Sequence, residues 1–276
     1  MNTLVVFHAD HHVNDVVGLC PPEFRLDVGT YQPSAAQRWL WRAWLRFWEK
    51  IAIMKREHTA RVLSIFVGDV GDVNAHSNNE LVTINDEWII NAMVDVAAPA
   101  LEVADKTIVI RGTAAHSGGV GKLEELFAQR IGAEPCRRRD GSETASWYVW
   151  RGIVDGIEIL ATHHPASGSR LPDRLDDACN RSCAFVAKSI ERSGGRVPDW
   201  CVWGHVHKRA LGTYLAGRVR GVFLPPWKLV GNYGYRLGTV VPEAAGGFWL
   251  LIEDGRVTAS DFELFSAPQE RAWEWR

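Results

Sequence analysis

Nowhere in the 276 residues does an apolar run approach the roughly 18 that a membrane-spanning helix needs. The opening Met1–Phe7 has no basic start and is too short for the apolar core of a secretory signal, so a cytoplasmic protein with no membrane partner is expected. Cysteine is scarce: Cys20, Cys136, Cys179, Cys183 and Cys201 are odd in number and contain no CxxC pair. That argues against a thiolate zinc knot. Cys179 and Cys183, four apart on a helical stretch, read as small buried apolar groups. An excess of one charge is also absent: 31 Lys and Arg against 33 Asp and Glu leave a net charge of -2. Proteins that live on nucleic-acid backbone usually carry a basic surplus. The local runs here, Arg137 to Arg139 and Arg38 to Arg61, read as solvated surface. Internal repeats, low-complexity tracts and interdomain linkers are missing too, so residues 1-276 are expected to form one domain.

What is abundant is tryptophan, 13 in all, and histidine in clusters. Thr3–Phe7, Arg61–Val67 and Lys106–Arg111 are compact apolar, β-branched runs and predict buried strands. Ser146–Arg151 and Gly156–Thr162 predict two strands joined by a Val-Asp-Gly turn. Asp199–Trp203, Arg218–Leu224 and Gly247–Ile252 continue the β pattern. Helices are predicted from an N-cap at Ser34 to about His58, over 86–104, 122–131 and 172–193. In the first of them Trp41, Trp44, Leu45, Trp48, Ile51 and Ala52 recur at three- and four-residue steps, a core-facing stripe rather than a partner surface. Alternating strands and helices early, then hairpins, predict a mixed α/β architecture.

The polar residues gather where those strands end. The first strand leads into Asp10 and His12, the second into Asp69 and Asp72, and the third through Gly112-Thr-Ala-Ala into His116. Later strands meet His163-His164-Pro165 and Gly204-His-Val-His207. Eight of the ten histidines fall in these clusters; His58 and His76 do not. Sites in α/β sheets collect outside the carboxyl ends of strands. Residues two apart in extended chain share a side, so Asp10 with His12, and His205 with His207, can each address one ion. Imidazole and carboxylate together suit manganese, iron or zinc. Arg111, Lys208 and Arg209 adjoin the clusters and are candidates for binding negative charge.

In their order and spacing these motifs resemble the calcineurin-like metallophosphoesterases. Asp10-His-His12, Gly68 to Asp72, His163, and Gly204 to His207 match four of that family's five elements, over roughly residues 3 to 210. The resemblance implies a four-layer α/β (α+β) sandwich, two mixed β-sheets packed face to face with helices outside. It also implies two divalent metal ions, manganese first. One would be held by Asp10, His12, Asp69 and His207, and the second by the bridging Asp69 with His163 and His205. The implied activity is hydrolysis of phosphoesters, diesters and nucleic acid (DNA or RNA) first, by water activated between the ions. Small monoesters or cyclic nucleotides are the alternative. Asp72 would orient a ligand, and His116 would act as general acid.

At the third element the chain departs from the family: Gly112-Thr-Ala-Ala-His116 stands in place of Gly-Asn-His, so a ligand asparagine is missing. Thr113 or water would take its place. This variant, with Leu224-Pro-Pro-Trp-Lys228 and Asn232-Tyr-Gly-Tyr235, is similar to a phage and prophage branch. Metallo-β-lactamases need His-x-His-x-Asp-His, which His8 to His12 does not supply, and HD-type phosphohydrolases place their ligands on helices. A degenerate domain kept as a binding scaffold is the alternative from outside enzymology.

Overall fold

The computed structural model describes residues 2–73, 80–138, 140–169, 171–236 and 243–267; His76 lies outside them. In chain order the strands are β1 (Asn2–His8), a small hairpin β2 (Phe24–Leu26) and β3 (Gly29–Tyr31), β4 (Ala60–Val67) and β5 (Lys106–Ile110). A second small hairpin, β6 (Cys136–Arg137) and β7 (Glu143–Thr144), precedes β8 (Val149–Val154), β9 (Ile157–Thr162), β10 (Trp200–Trp203) and β11 (Ala210–Tyr214). Last come β12 (Val219–Phe223), β13 (Ala245–Glu253) and β14 (Arg256–Phe265). The helices are α1 (Ala35–Glu57), α2 (Asp86–Val103), α3 (Ala114–Ser117), α4 (Lys122–Ile131), α5 (Leu175–Arg192) and α6 (Asn232–Arg236).

Two five-stranded mixed sheets form, in the orders β14-β13-β1-β4-β5 and β11-β12-β10-β9-β8. In the first, β1, β4 and β5 run parallel; in the second, β9, β10 and β12 do. Strand alternation sorts the apolar side chains into three layers. Val5, Phe7, Ile65, Val67, Ile108 and Ile110 meet Ile159, Ala161, Trp200, Val202 and Val222 between the sheets. The opposite face of the first sheet, Leu4, Val6, Val62, Phe66 and Val109, packs on α1, α2 and α4. Leu160, Cys201, Trp203 and Phe223 of the second sheet pack on α5. The four layers expected from the sequence are therefore present.

Local chemistry explains the element ends. Ser34 Oγ accepts from the Gln37 amide while Gln37 Oε1 accepts from the Ser34 amide, a reciprocal cap that starts α1. Asp155 and Gly156, both at positive φ, make the two-residue turn between β8 and β9. Cys179 and Cys183 are buried in the α5 layer, as their spacing predicts.

Several boundaries differ from the sequence expectation. The buried stripe of α1 is Leu40, Ala43, Trp44, Phe47, Trp48, Ile51 and Met54, centred one step from the predicted one; Leu45 is 41% exposed, and Trp41 and Ala52 are half-buried. Residues 172–174 form a 3₁₀ turn before α5, and β8 begins only at Val149. Strand β14 went unforeseen because it is an edge strand without a buried face. Among the described residues no helix is long and apolar enough to cross a membrane.

Candidate metal centre

Parallel pairing brings the carboxyl ends of β1, β4 and β5 side by side, and the facing sheet brings those of β9 and β10 against them. The chain leaves each end in a tight, hydrogen-bonded turn: the amide of Asp10 donates to Gly68 O, and that of His12 to Asp69 O. Asp10, His12, Asp69, His205 and His207 all sit at positive φ, between 45° and 69°. Left-handed backbone costs a non-glycine residue on the order of 1 kcal/mol or more and persists where the surroundings impose it, most often at functional sites. Gly112 lets β5 close on this turn, since a Cβ there would stand 2.0 Å from Asp69 Oδ1.

Asp10, His12, Asp69, Asp72, Thr113, His116, His163, His205 and His207 lie in this one cluster. His207 Nε2 is 3.2 Å from Asp10 Oδ1 and 3.1 Å from His12 Nε2. Across the cluster His163 Nε2 lies 3.0 Å from Asp69 Oδ2 and 3.9 Å from Asp10 Oδ1. Thr113 donates its amide to Asp69 Oδ1 at 2.6 Å and its hydroxyl to Asp69 Oδ2 at 3.2 Å. The His205 amide donates to Asp10. Asp72 joins two imidazoles: His12 Nδ1 is 3.1 Å from Oδ2, and His116 Nδ1 is 3.0 Å from Oδ1. Asp10, His12, Asp69 and His163 are buried, whereas His205 is exposed and His207 and His116 are partly so, giving the cluster an open face.

The donors fit divalent cations. His163 Nδ1 lies 2.8 Å from the Val67 carbonyl oxygen, which accepts its proton and turns Nε2 inward. That buried Nε2 has no hydrogen-bond partner, because its approach to Asp69 is not aligned as a hydrogen bond. Burial alone would strip the ring of its proton, but the Asp69 and Asp10 charges outweigh it and lift His163 to about 9. Two buried carboxylates thus demand positive charge between them. Burial likewise opposes ionisation of Asp10, yet the neighbouring His207 and His163 bring it down to about 2. His12 and His205 are driven down to about 3 and about 4, first by burial and then by cationic neighbours, leaving neutral imidazoles with free lone pairs.

Other candidates from the sequence are otherwise engaged. Arg111 is buried, its guanidinium donating to Ser146 Oγ, Val120 O, Tyr148 Oη and Glu125 Oε2, so it holds the scaffold and not substrate. Arg209 lies 3.7 Å from Glu243. His8 and His11 point to the opposite side of β1, where they contact each other, Trp44 and Phe66. Sequence reasoning missed Lys228, whose Nζ lies 2.5 Å from Asp15 and 3.9 Å from Asp72. It also missed Asn14, which donates to the Asp72 carbonyl oxygen. Only the contacts of the loop after β12 could reveal Lys228: Trp227 donates its amide to Asp10 O, drawing that loop across the centre.

Beneath α3, Ser117 donates to Glu124 Oε1 at 2.7 Å while Oε2 has no partner. Burial, reinforced by the Asp69 charge, raises this carboxyl from 4.5 to about 7. The unfolded chain ionises it from 4.5 upward while the folded chain keeps it neutral. Its stabilising share is therefore complete below 4.5, declines to about pH 7 and then levels off, a loss on the order of 3 kcal/mol. Chelator-treated Glu124→Gln should match wild type in urea unfolding at pH 4 and exceed it at pH 8; a pH-independent difference would refute this assignment.

No family model and no curated protein sequence matches the chain. Among solved structures it is similar to Vps29 of Entamoeba histolytica with zinc, at 11% identity over 96% of this chain and 99% of that one, with a TM-score of 0.44. It is also similar to a predicted phosphoesterase from Streptococcus pneumoniae, at 10% identity over 96% and 98% of the two chains and a TM-score of 0.37. A third is the sulfate thiohydrolase SoxB of Thermus thermophilus, at 11% identity over 96% of this chain and 56% of that one, with a TM-score of 0.46.

Proposed function

We propose that this chain is a metal-dependent phosphoesterase that hydrolyses phosphodiesters, nucleic acid among them, with a pair of divalent ions, manganese before iron or zinc. The observation that carries the reading is the sharing of Asp69. Its carboxylate lies within 4.8 Å of a donor nitrogen of His12 on one side and of His163 on the other, and these two histidines fall to different ions. A carboxylate common to two donor sets is suited to hold two ions close together.

Asp10, His12, Asp69 and His207 would hold one ion, and Asp69, His163 and His205, with the Thr113 hydroxyl beside them, the other; together these would polarise the phosphate and acidify water. The remaining roles fall to side chains alone. Asp72 accepts a hydrogen bond from His12 Nδ1 with one oxygen, which turns His12 Nε2 toward His207 and the donor group that includes Asp10. With its other oxygen it holds His116 Nδ1, leaving the far nitrogen of that ring to protonate a departing alkoxide. Burial opposes a charge on His116, but the Asp72 hydrogen bond and charge prevail and raise its pKa above the ordinary histidine value. Lys228 and Asn14 anchor Asp72.

Diesters are the first choice because, beyond the two ions, the extra charge of a dianionic monoester calls for further cations, and Arg111, Arg209 and Lys228 are paired with Glu125, Glu243 and Asp15.

Metal-stripped protein given manganese should hydrolyse bis(p-nitrophenyl) phosphate faster than p-nitrophenyl phosphate. Inactivity on both with manganese, iron and zinc would overturn the enzyme reading, and a monoester preference the substrate class. His116→Ala should slow turnover by about 10²-fold or more while metal content stays at the wild-type value; loss of metal would make His116 a ligand instead.

A further inference from the structure

Resting on that two-ion reading, we propose that His164 is a direct ligand of the second ion and fills the place left by the missing asparagine. Without it, the second donor set counts Asp69, His163 and His205, one fewer than the first, plus a neutral hydroxyl that binds transition ions weakly. His164 stands where the fourth ligand is needed. Donor nitrogens of His163, His164 and His205 all lie within 4.8 Å of one another. The rings of His163 and His164 meet edge to face, centroids 4.8 Å apart, and His164 leans on His205 at 4.4 Å.

Thr113 marks the point of convergence. As N-cap of α3 it would ordinarily turn its hydroxyl to the helix amides, but it makes no such bond. Its Oγ1 instead lies 3.2 Å from Asp69 Oδ2, 3.2 Å from His164 Nε2 and 3.3 Å from His205 Nδ1. A carboxylate and two imidazoles grouped around one oxygen, with His163 buried behind them, make a nitrogen-rich set for a divalent transition ion. Neighbouring residues in extended chain face opposite ways. The chain bends as it leaves β9, so His163 and His164 both serve one set.

The test is a cobalt(II) titration of metal-stripped protein, followed by visible absorption and by elemental analysis after dialysis. Wild type should bind two ions. His164→Ala should keep the tighter ion with its spectrum unchanged and weaken the other by about 100-fold or more. The double variant His164→Ala/Thr113→Asn should recover part of that loss, because a carboxamide oxygen is a better ligand than a hydroxyl. His164→Gln, read the same way, covers the case in which the alanine variant misfolds. Unchanged binding of both ions in the single variants would overturn the role of His164 alone. A wild type that takes up no ion would instead overturn the phosphoesterase reading on which it rests.

Discussion

Asp69→Asn is expected to keep the fold and lose hydrolysis of bis(p-nitrophenyl) phosphate by at least about 10³-fold. The substitution is nearly isosteric, and the new amide oxygen can still accept the Thr113 amide that Asp69 Oδ1 accepts at 2.6 Å. What disappears is the charge facing His163 at 3.0 Å and common to both donor groups. Burial works against that charge, and His163 with its neighbours holds the carboxyl far below its ordinary range all the same, so the ionised form is what the site is built around. Metal analysis should show fewer ions per chain, while circular dichroism and melting should stay close to wild type. Full activity with full metal content would sink the two-ion assignment.

Trp44→Ala should cost about 3–5 kcal/mol, the range for removing a large aromatic side chain from a core. Trp44 is fully buried, lies parallel to Phe47, meets Trp48 and Trp227 edge to face, and donates its indole proton to Val96 O at 2.8 Å. The substitution would also leave the Val96 carbonyl without that donor. A drop in Tm on the order of 10 °C is expected for a chain of this size. Its effect reaches the centre too, since Trp227 donates its amide to Asp10 O beside the metal donors. A Tm within a degree of wild type would show that the aromatic cluster is not the support this packing implies. The same burial removes Trp44 and Trp48 from any partner surface and counts against a scaffold role for α1.

Most of this site was legible because its chemistry is local. Asp-x-His, Gly-Asp-x-x-Asp, His-His and Gly-His-x-His each follow an apolar run, and the residue types alone restrict the ions they suit. The family resemblance implies that Asp72 orients a ligand, and its carboxylate lies between His12 and His116. Arg111 illustrates the limit. Its place one residue past β5 suggested a substrate contact, but Glu125, Ser146 and Tyr148, from 14 to 37 residues away, bind the guanidinium first.

Sequence by itself determined the layers, the caps and the kinds of donor, since alternation, helical period and side-chain chemistry are properties of short stretches. It placed acids and histidines at strand ends but could not say which way each ring turns. His8 and His12 lie four residues apart in one segment, yet one enters an aromatic core and the other the metal centre. Only the tertiary structure decided that, because His12 leaves the strand at positive φ and Asp72, 60 residues on, is there to receive it. The same holds for His164: the bend after β9 matters only because β5 and β10 deliver Thr113 and His205 to the same point. Convergence of separate strand ends is set by sheet order and register, and no single stretch of chain encodes it.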